Sequence, residues 1–271
     1  MELKNRYLTI GSCLKDEHSY IHDFIKYHRY VGVEHFVFFD REYFKLKEML
    51  QNEPDVEVIH FPEEPQNNHQ EAWGKLIGYN QKKTKWLALI DADQALVPVK
   101  TNDVKEILRD YEDFASLQIN WKAFGSGGQE KRLPGSVYER FLFCAPPESQ
   151  YSLPTQFICQ PDRTLAIKTQ EPHYPQLPVG EISVNTNKQE IDANKIVPMN
   201  PATPKTFQVP PLYDILWVAH YTNKSKEEWL IKNNKGRADI LGAKIHSTQF
   251  DEYDRECSVK ETRVLDIWKQ S

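Results

Sequence analysis

Cysteine is scarce. Only four occur in 271 residues, Cys13, Cys144, Cys159 and Cys257, and no two form a CxxC pair. That spacing argues against a structural zinc site and leaves scattered buried thiols in a reducing compartment as the expectation. A basic excess is also missing: 34 Lys and Arg stand against 39 Asp and Glu, a formal net charge of -5. The chain therefore has no electrostatic footprint for nucleic acid. Long apolar runs are absent too, and none approaches the roughly 18 residues of a membrane span. The opening MELKNRYLTIGSCLKDEH has no apolar stretch of signal-peptide length. These absences point to a cytoplasmic protein without a transmembrane segment, for which peripheral membrane contact stays open. Neither an internal repeat nor a low-complexity tract interrupts the chain.

What is present is an ordinary globular composition, 39% hydrophobic, 27% charged and 12% aromatic. The length allows one large domain or two small ones. The first half alternates short apolar runs with helical patterns, the signature of a parallel-sheet α/β domain. Strands are expected at Tyr7 to Cys13, Phe36 to Phe39, Val56 to Phe61 and Trp86 to Ile90. Helices are expected between them: Tyr20 to Val31, with Ile21, Phe24, Ile25 and His28 at helical spacing, Tyr43 to Leu50, and His69 to Lys82, with Trp73, Leu76 and Ile77 on one face.

The second half reads differently. Twelve of the 17 prolines fall between Pro146 and Pro211, so long irregular segments are expected there, of the kind that line a site or act as a lid. Strands are expected at Ala115 to Asn120, Val137 to Cys144, Gln156 to Gln160 and Ile215 to Ala219. Ser225 to Asn234 reads as a helix, with Ser225 and Glu228 spaced as a capping box. A closing helix is expected over Lys260 to Lys269.

The segment WLALIDADQALVP places Asp91 and Asp93 at the carboxyl end of a wholly apolar strand. Ligands of open parallel sheets bind at such ends. Residues two apart in an extended segment point the same way, so the pair would make a hard-oxygen site for Mn²⁺ or Mg²⁺ bridging phosphate oxygens. The bland alternative is a pair of strand-terminal turn acids.

Several segments, in order, resemble glycosyltransferase family 92 and the related bacterial family-2-like transferases of the GT-A fold. CLKDEHSYIHDFIKYHRYVGVEHFVFFD resembles their opening strand-helix-strand block, and KWLALIDADQALVP their metal-binding segment. WKAFGSGGQEKRLPGSVYERF resembles a Trp-x-x-Phe-Gly-Ser block followed by Glu-Arg-Phe. HYTNKSKEEWLIKNNKGRAD resembles the His-Tyr-x-x-Lys-Ser-x-Glu-Glu segment. Two segments depart from the pattern. The metal segment usually reads Asp-x-Asp-Glu-Phe, where this chain has Gln94 and Ala95. A basic residue is often found where Thr155 and Gln156 stand.

The resemblance implies a single GT-A domain over 1–271, a mostly parallel central sheet flanked by helices. Residues 1–100 would form its nucleotide-sugar half, 101–240 its acceptor-side half and 241–271 a helical tail. It implies sugar transfer from a nucleotide sugar, expected to be UDP-linked, to a hydroxyl of a glycan or glycolipid, with inversion. Lys15, Asp16 and Glu17 follow the first strand, where GT-A enzymes hold the nucleobase and ribose, and Asp40 would face the same crevice. Asp91 and Asp93 would hold the metal. His220 would join them as the family's C-terminal histidine, although alone it reads as a core histidine. Lys224 and Ser225 open a helix whose N-terminal amides attract anions.

Trp121, Gly127 in the GSGG turn and His173 in EPHYP are candidates for the acceptor side, with plain turn or core positions as the alternative for each. His18 and His22, four apart, lack the third ligand of a metal site. Inversion needs a carboxylate base. Glu139, Asp162 and Glu171 are the candidates, Glu139 first, with Arg140 expected to pair with an acid. Two rivals remain: a nucleotidyltransferase, although SCLKDEHS lacks the Gly-rich basic loop of that class, and a catalytically inactive sugar- or nucleotide-binding homologue.

Overall fold

The computed structural model describes residues 6–15, 17–41, 43–62, 69–168, 171–191, 210–234 and 248–271. In chain order come β1 (Arg6–Leu14), α1 (Ile21–Tyr30), β2 (His35–Asp40), α2 (Tyr43–Met49), β3 (Val56–His60), α3 (His69–Asn80) and β4 (Thr84–Leu89). The chain continues through β5 (Gln94–Pro98), α4 (Val104–Arg109), β6 (Ser116–Ala123), α5 (Val137–Arg140), β7 (Phe143–Cys144) and β8 (Thr155–Cys159). After these follow β9 (Ala166–Lys168), β10 (Glu171–Gln176), β11 (Ser183–Val184), β12 (Leu216–His220), α6 (Lys226–Asn234), α7 (Thr248–Glu256), β13 (Val259–Lys260) and α8 (Arg263–Trp268).

Nine strands form one sheet in the order β3-β2-β1-β4-β8-β6-β12-β5, with β11 also paired to β6. β1 to β4 are mutually parallel, and β8 is inserted antiparallel between β4 and β6. β12 runs parallel to β6 and antiparallel to the edge strand β5. This is the mostly parallel sheet with flanking helices that the GT-A resemblance implies.

Strands buried on both faces explain the unbroken apolar runs of the sequence. Along β4, Trp86 and Ala88 enter the core on the α1 face, while Leu87 and Leu89 join Trp73, Leu76 and Ile77 of α3 on the other. β2 divides likewise, Phe36 and Phe38 against Val37 and Phe39. His28, on the buried face of α1, meets the Phe24 carbonyl through Nδ1 (2.8 Å) and accepts from the Leu96 amide through Nε2 (3.2 Å), tying α1 to β5. Burial drives its pKa down to about 3. All four cysteines are buried and unpaired.

Three elements differ from the sequence expectation. Residues Val137 to Cys144 do not form a strand: Ser136 and Glu139 close a capping box that starts the single turn of α5, and only Phe143–Cys144 is extended, against β13. β5 carried no expectation: the chain reverses directly after β4, and a local apolar pattern does not reveal a reversal. The closing helix is shorter than expected, Arg263–Trp268, because Val259–Lys260 is spent on β13. α4 carried no expectation, and α7 falls within the tail expected to be helical. Among the described residues no helix is long and apolar enough to cross a membrane.

Candidate functional site

The carboxyl ends of β1, β2, β4, β6 and β12 lie along one side of the sheet, and the acids of the DAD segment stand in their middle. Ser12 Oγ donates to the Ile90 carbonyl (2.5 Å), holding the end of β4 to β1. The Gln94 amide then donates to the Asp91 carbonyl (3.0 Å), closing a four-residue turn with Ala92 and Asp93 at its centre. The acids therefore sit on a turn and not on an extended segment, so strand alternation does not set their directions. β5 leaves the turn antiparallel to β12, which places His220 opposite Gln94, and the Tyr221 amide donates to the Asp93 carbonyl (2.8 Å).

Asp93 is 4% exposed and faces three bases. Lys232 Nζ lies 2.5 Å from Oδ2 and His220 Nε2 lies 3.6 Å from Oδ1. Burial pushes the Asp93 carboxyl up, but the charges of Lys232, His220 and Lys224 hold it well below the usual carboxylate range. Lys232 responds in kind: burial opposes its ammonium, while Asp93, Glu17 and Asp91 raise its pKa above the ordinary value. Both acids of the turn thus act on one ammonium. His220 also lies 3.0 Å from Thr222 Oγ1 through the same Nε2.

Across the turn from Lys232 a second set of contacts runs through side-chain amides. The Asp91 amide donates to Gln94 Oε1 (3.1 Å), which also receives Gln156 Nε2 (3.0 Å). Gln156 Oε1 lies 2.8 Å from His173 Nδ1. Trp121 stands between the two histidines, its ring 5.2 Å from that of His173 and 4.4 Å from that of His220. His220, Trp121 and His173 therefore form one wall.

α6 closes the opposite side. Its capping box is present: Glu228 Oε2 accepts from the Ser225 amide (3.1 Å) and the Glu228 amide donates to Ser225 Oγ (3.3 Å). Glu228 further takes a two-point contact from Arg140 (2.8 and 2.9 Å) and the Tyr20 hydroxyl (2.6 Å). Burial raises this carboxyl, yet Arg140, Ser225 and Tyr20 bring it down to about 2. Arg140 thus pairs with an acid, as expected. Lys224 precedes the helix at φ 55°, a left-handed conformation that costs a non-glycine residue roughly 1–2 kcal/mol. Its side chain is buried, with Nζ over the Tyr20 ring at 4.6 Å and 3.9 Å from Glu17 Oε2.

The structure brings Glu17, Asp91, Asp93, His220, Lys224 and Ser225 to this side of the sheet, with Trp121 and His173 beside them. Lys15 follows β1 on the same side, and Asp16 lies outside the described residues. Asp40 does not face the crevice as expected: it is wholly buried, with Oδ2 3.8 Å from His18 Nε2.

Gly127 belongs to a turn clipped to α7, where Ser126 donates to Asp254 through its amide and through Oγ (2.7 Å). A β-carbon at Gly125 would stand 2.6 Å from that of Cys257, so the glycine permits this close approach. Glu139 spends its carboxylate on the Ser136 amide (3.0 Å). Asp162 accepts from the Lys82 amide (2.8 Å), before the start of β4. The six-residue strand β4 separates this point from Asp91, which puts Asp162 about 20 Å away at the other end of the sheet. Glu171 opens β10, and its side chain lies outside the described residues.

Sequence reasoning missed Lys232 and the pairing of Gln94 with Gln156. The spacing of Lys224, Glu228 and Lys232, four residues apart, is the one signal that could have drawn Lys232 in.

The sequence model of glycosyltransferase family 92 matches residues 13–236. No curated protein matches the sequence. Solved structures that resemble the fold include S. aureus TarS 1-349 in complex with UDP, at 12% identity and a TM-score of 0.37, over 57% of this chain and 47% of that one. The chain thus spans about half the length of that structure. A 4-diphosphocytidyl-2C-methyl-D-erythritol synthase matches at 10% identity and TM-score 0.35, over 60% of this chain and 78% of its own. A CMP:2-keto-3-deoxy-manno-octonic acid synthetase complexed with CTP matches at 11% and 0.32, over 59% and 75%.

Proposed function

The chain belongs to glycosyltransferase family 92, and from that premise we propose that it transfers a sugar from a UDP-sugar to a hydroxyl of a glycan or glycolipid, with inversion. The observation that carries the reading is the Asp91–Asp93 turn at the carboxyl end of β4, ringed by Lys232, His220 and Lys224. A leaving nucleoside diphosphate needs positive charge around it as the glycosidic bond breaks. Lys224 and Lys232 supply fixed ammonium groups, and Glu17 and Tyr20 hold Lys224 in place.

Mn²⁺ or Mg²⁺ belongs to the same reading. Among the described residues no three His, Cys, Asp or Glu side chains gather as a complete metal cage. The pair Asp91 and Asp93 nevertheless fits a hard cation of this kind, which takes one or two carboxylates and completes its shell with substrate phosphates and water. Asp91 and Asp93 would hold it, with His220 beside Asp93 able to join only after a rearrangement, and when bound it would neutralise charge on the departing diphosphate. Lys232, whose ammonium meets Asp93 Oδ2 at 2.5 Å, would have to release that oxygen for a cation to take it.

The acceptor side is assigned to the wall of Trp121 and His173. Of the three carboxylates considered as base, Glu171 is retained, since Glu139 is committed to a cap and Asp162 to the far end of the sheet. Incubation with nucleotide sugars and Mn²⁺ tests the reading through its products. Release of UDP is expected, while release of pyrophosphate from a nucleoside triphosphate and a sugar 1-phosphate, supplied in a parallel incubation, would make the protein a nucleotidyltransferase. Absence of any turnover together with absence of UDP affinity would make it an inactive homologue.

A further inference from the structure

We propose that the Lys232 ammonium holds the cation's place at Asp93 and yields it only as metal and nucleotide diphosphate enter together, an inference that rests on the glycosyl-transfer reading above. Each oxygen of Asp93 faces a base: Lys232 Nζ meets Oδ2 at 2.5 Å, and His220 Nε2 stands 3.6 Å from Oδ1. Since Asp93 is 4% exposed, a metal ion reaches its carboxylate by replacing a partner and not by adding to them. Oδ2 is the oxygen at stake, because its partner carries a full charge at direct contact. An ammonium is a compact point charge, and Asp93, Glu17 and Asp91 all act on this one. It therefore satisfies the same carboxylates that would draw a hard cation.

Lys232 is also the partner able to leave. Its side chain is 37% exposed, against 4% for that of Asp93. Upstream in α6, Glu228 is tied to Ser225, Arg140 and Tyr20, and the Trp229 ring packs 5.5 Å from that of Phe250. The helix is thus fixed one turn before Lys232, whose flexible four-carbon stem can swing while the backbone stays. The ammonium then remains beside the turn. Charge decides when this exchange is favourable. Glu17, Asp91 and Asp93 stand against Lys224 and Lys232, so a divalent ion alone turns the balance of these five groups from negative to positive. A diphosphate arriving with the ion removes that excess and gives both lysines an anion to face. Metal alone is accordingly held weakly, and metal and nucleotide strengthen each other by one common factor.

Calorimetric titration of the full chain with Mn²⁺, in the absence of nucleotide, tests the exchange. Lys232→Met keeps most of the stem and removes its charge, and should bind Mn²⁺ on the order of tenfold more tightly than the natural chain. The variant should also lose Tm without metal and regain it with Mn²⁺, a response the natural chain should not match. Adding Asp93→Asn to Lys232→Met should remove both effects. Equal Mn²⁺ affinity in the natural chain and in Lys232→Met would overturn the inference. Should that variant not fold, the ammonium itself is followed in ¹H–¹⁵N spectra of the natural chain, assigned with Lys232→Arg. Saturating Mg²⁺ and UDP should move the Lys232 signal to that of a lysine released from Asp93. An unmoved signal with both bound would overturn the inference and leave the donor site standing. Absence of UDP affinity in every form, with the Mn²⁺ gain of Lys232→Met intact, would instead remove the glycosyl-transfer reading beneath it.

Discussion

A buried acid such as Asp93 is stable only when opposite charge surrounds it, and here Lys232, His220 and Lys224 provide that charge. Glu228 obeys the same rule with Arg140, both side chains being about 95% removed from solvent or more. Its carboxyl falls from 4.5 to about 2 on folding. A depressed carboxylate contributes stability above its unfolded pKa and loses it as pH falls through the folded value, so about 3 kcal/mol should disappear between roughly pH 5 and pH 2. Urea unfolding across that range should therefore flatten in Glu228→Gln relative to the natural chain. An unchanged acid limb would count against the pairing. Arg140→Ala leaves the Glu228 charge buried and should cost roughly 3 kcal/mol or more.

Lys224 makes the opposite kind of prediction. Lys224→Gly relieves a left-handed backbone by about 1 kcal/mol, which should offset the lost contacts to Glu17 and Tyr20 and hold Tm near its natural value while UDP binding weakens. A fall in Tm with unchanged UDP binding would mark Lys224 as merely structural. At this scale the sequence was informative about residue type but not about partners. Of the four residues at which the chain departs from the family pattern, Gln94 and Gln156 prove to be bonded to each other, and nothing in their 62-residue separation announces it.

Among elements, β5 decides the site, because its antiparallel register with β12 sets His220 opposite Gln94. It escaped sequence reading since a four-residue turn separates two apolar runs of one character, and periodicity does not reveal a reversal. The helices α1, α3 and α6 were legible because each has a clear apolar face or cap signal. α5 overrode the strand expectation through the Ser136 and Glu139 cap, a local bond stronger than the β-propensity of Val137 and Tyr138. α7 matters through its contact with the GSGG turn. Gly125→Ala would press a methyl against Cys257, and overpacking of this kind costs typically 1–3 kcal/mol, so Tm should fall by several degrees. Retention of Tm would mean that the turn and α7 part easily.

For the molecule as a whole, the sheet gathers acids and bases from distant parts of the sequence at the carboxyl ends of its strands. The parallel order β3-β2-β1-β4 was readable, since its strands are buried on both faces and separated by helices. The insertion of β8 and the placement of β12 beside β6 were not, because non-local pairing leaves no mark in local pattern. The DAD turn was found by its place after WLALI, whereas Lys232 reaches it from a helix 139 residues away in sequence. Removing divalent cations with EDTA should abolish transfer and Mn²⁺ should restore it. Transfer that persists in EDTA would assign the diphosphate to Lys224 and Lys232 alone.

The central claim is that Asp91 and Asp93 anchor the diphosphate of the donor through a divalent cation, and calorimetric titration with UDP tests it most directly. The natural chain should bind UDP with an affinity that Mn²⁺ strengthens at least about tenfold, the scale of one charge-assisted contact, and Asp93→Asn should lose that enhancement while remaining folded. UDP binding of equal strength with and without Mn²⁺, unaltered in Asp93→Asn, would contradict it.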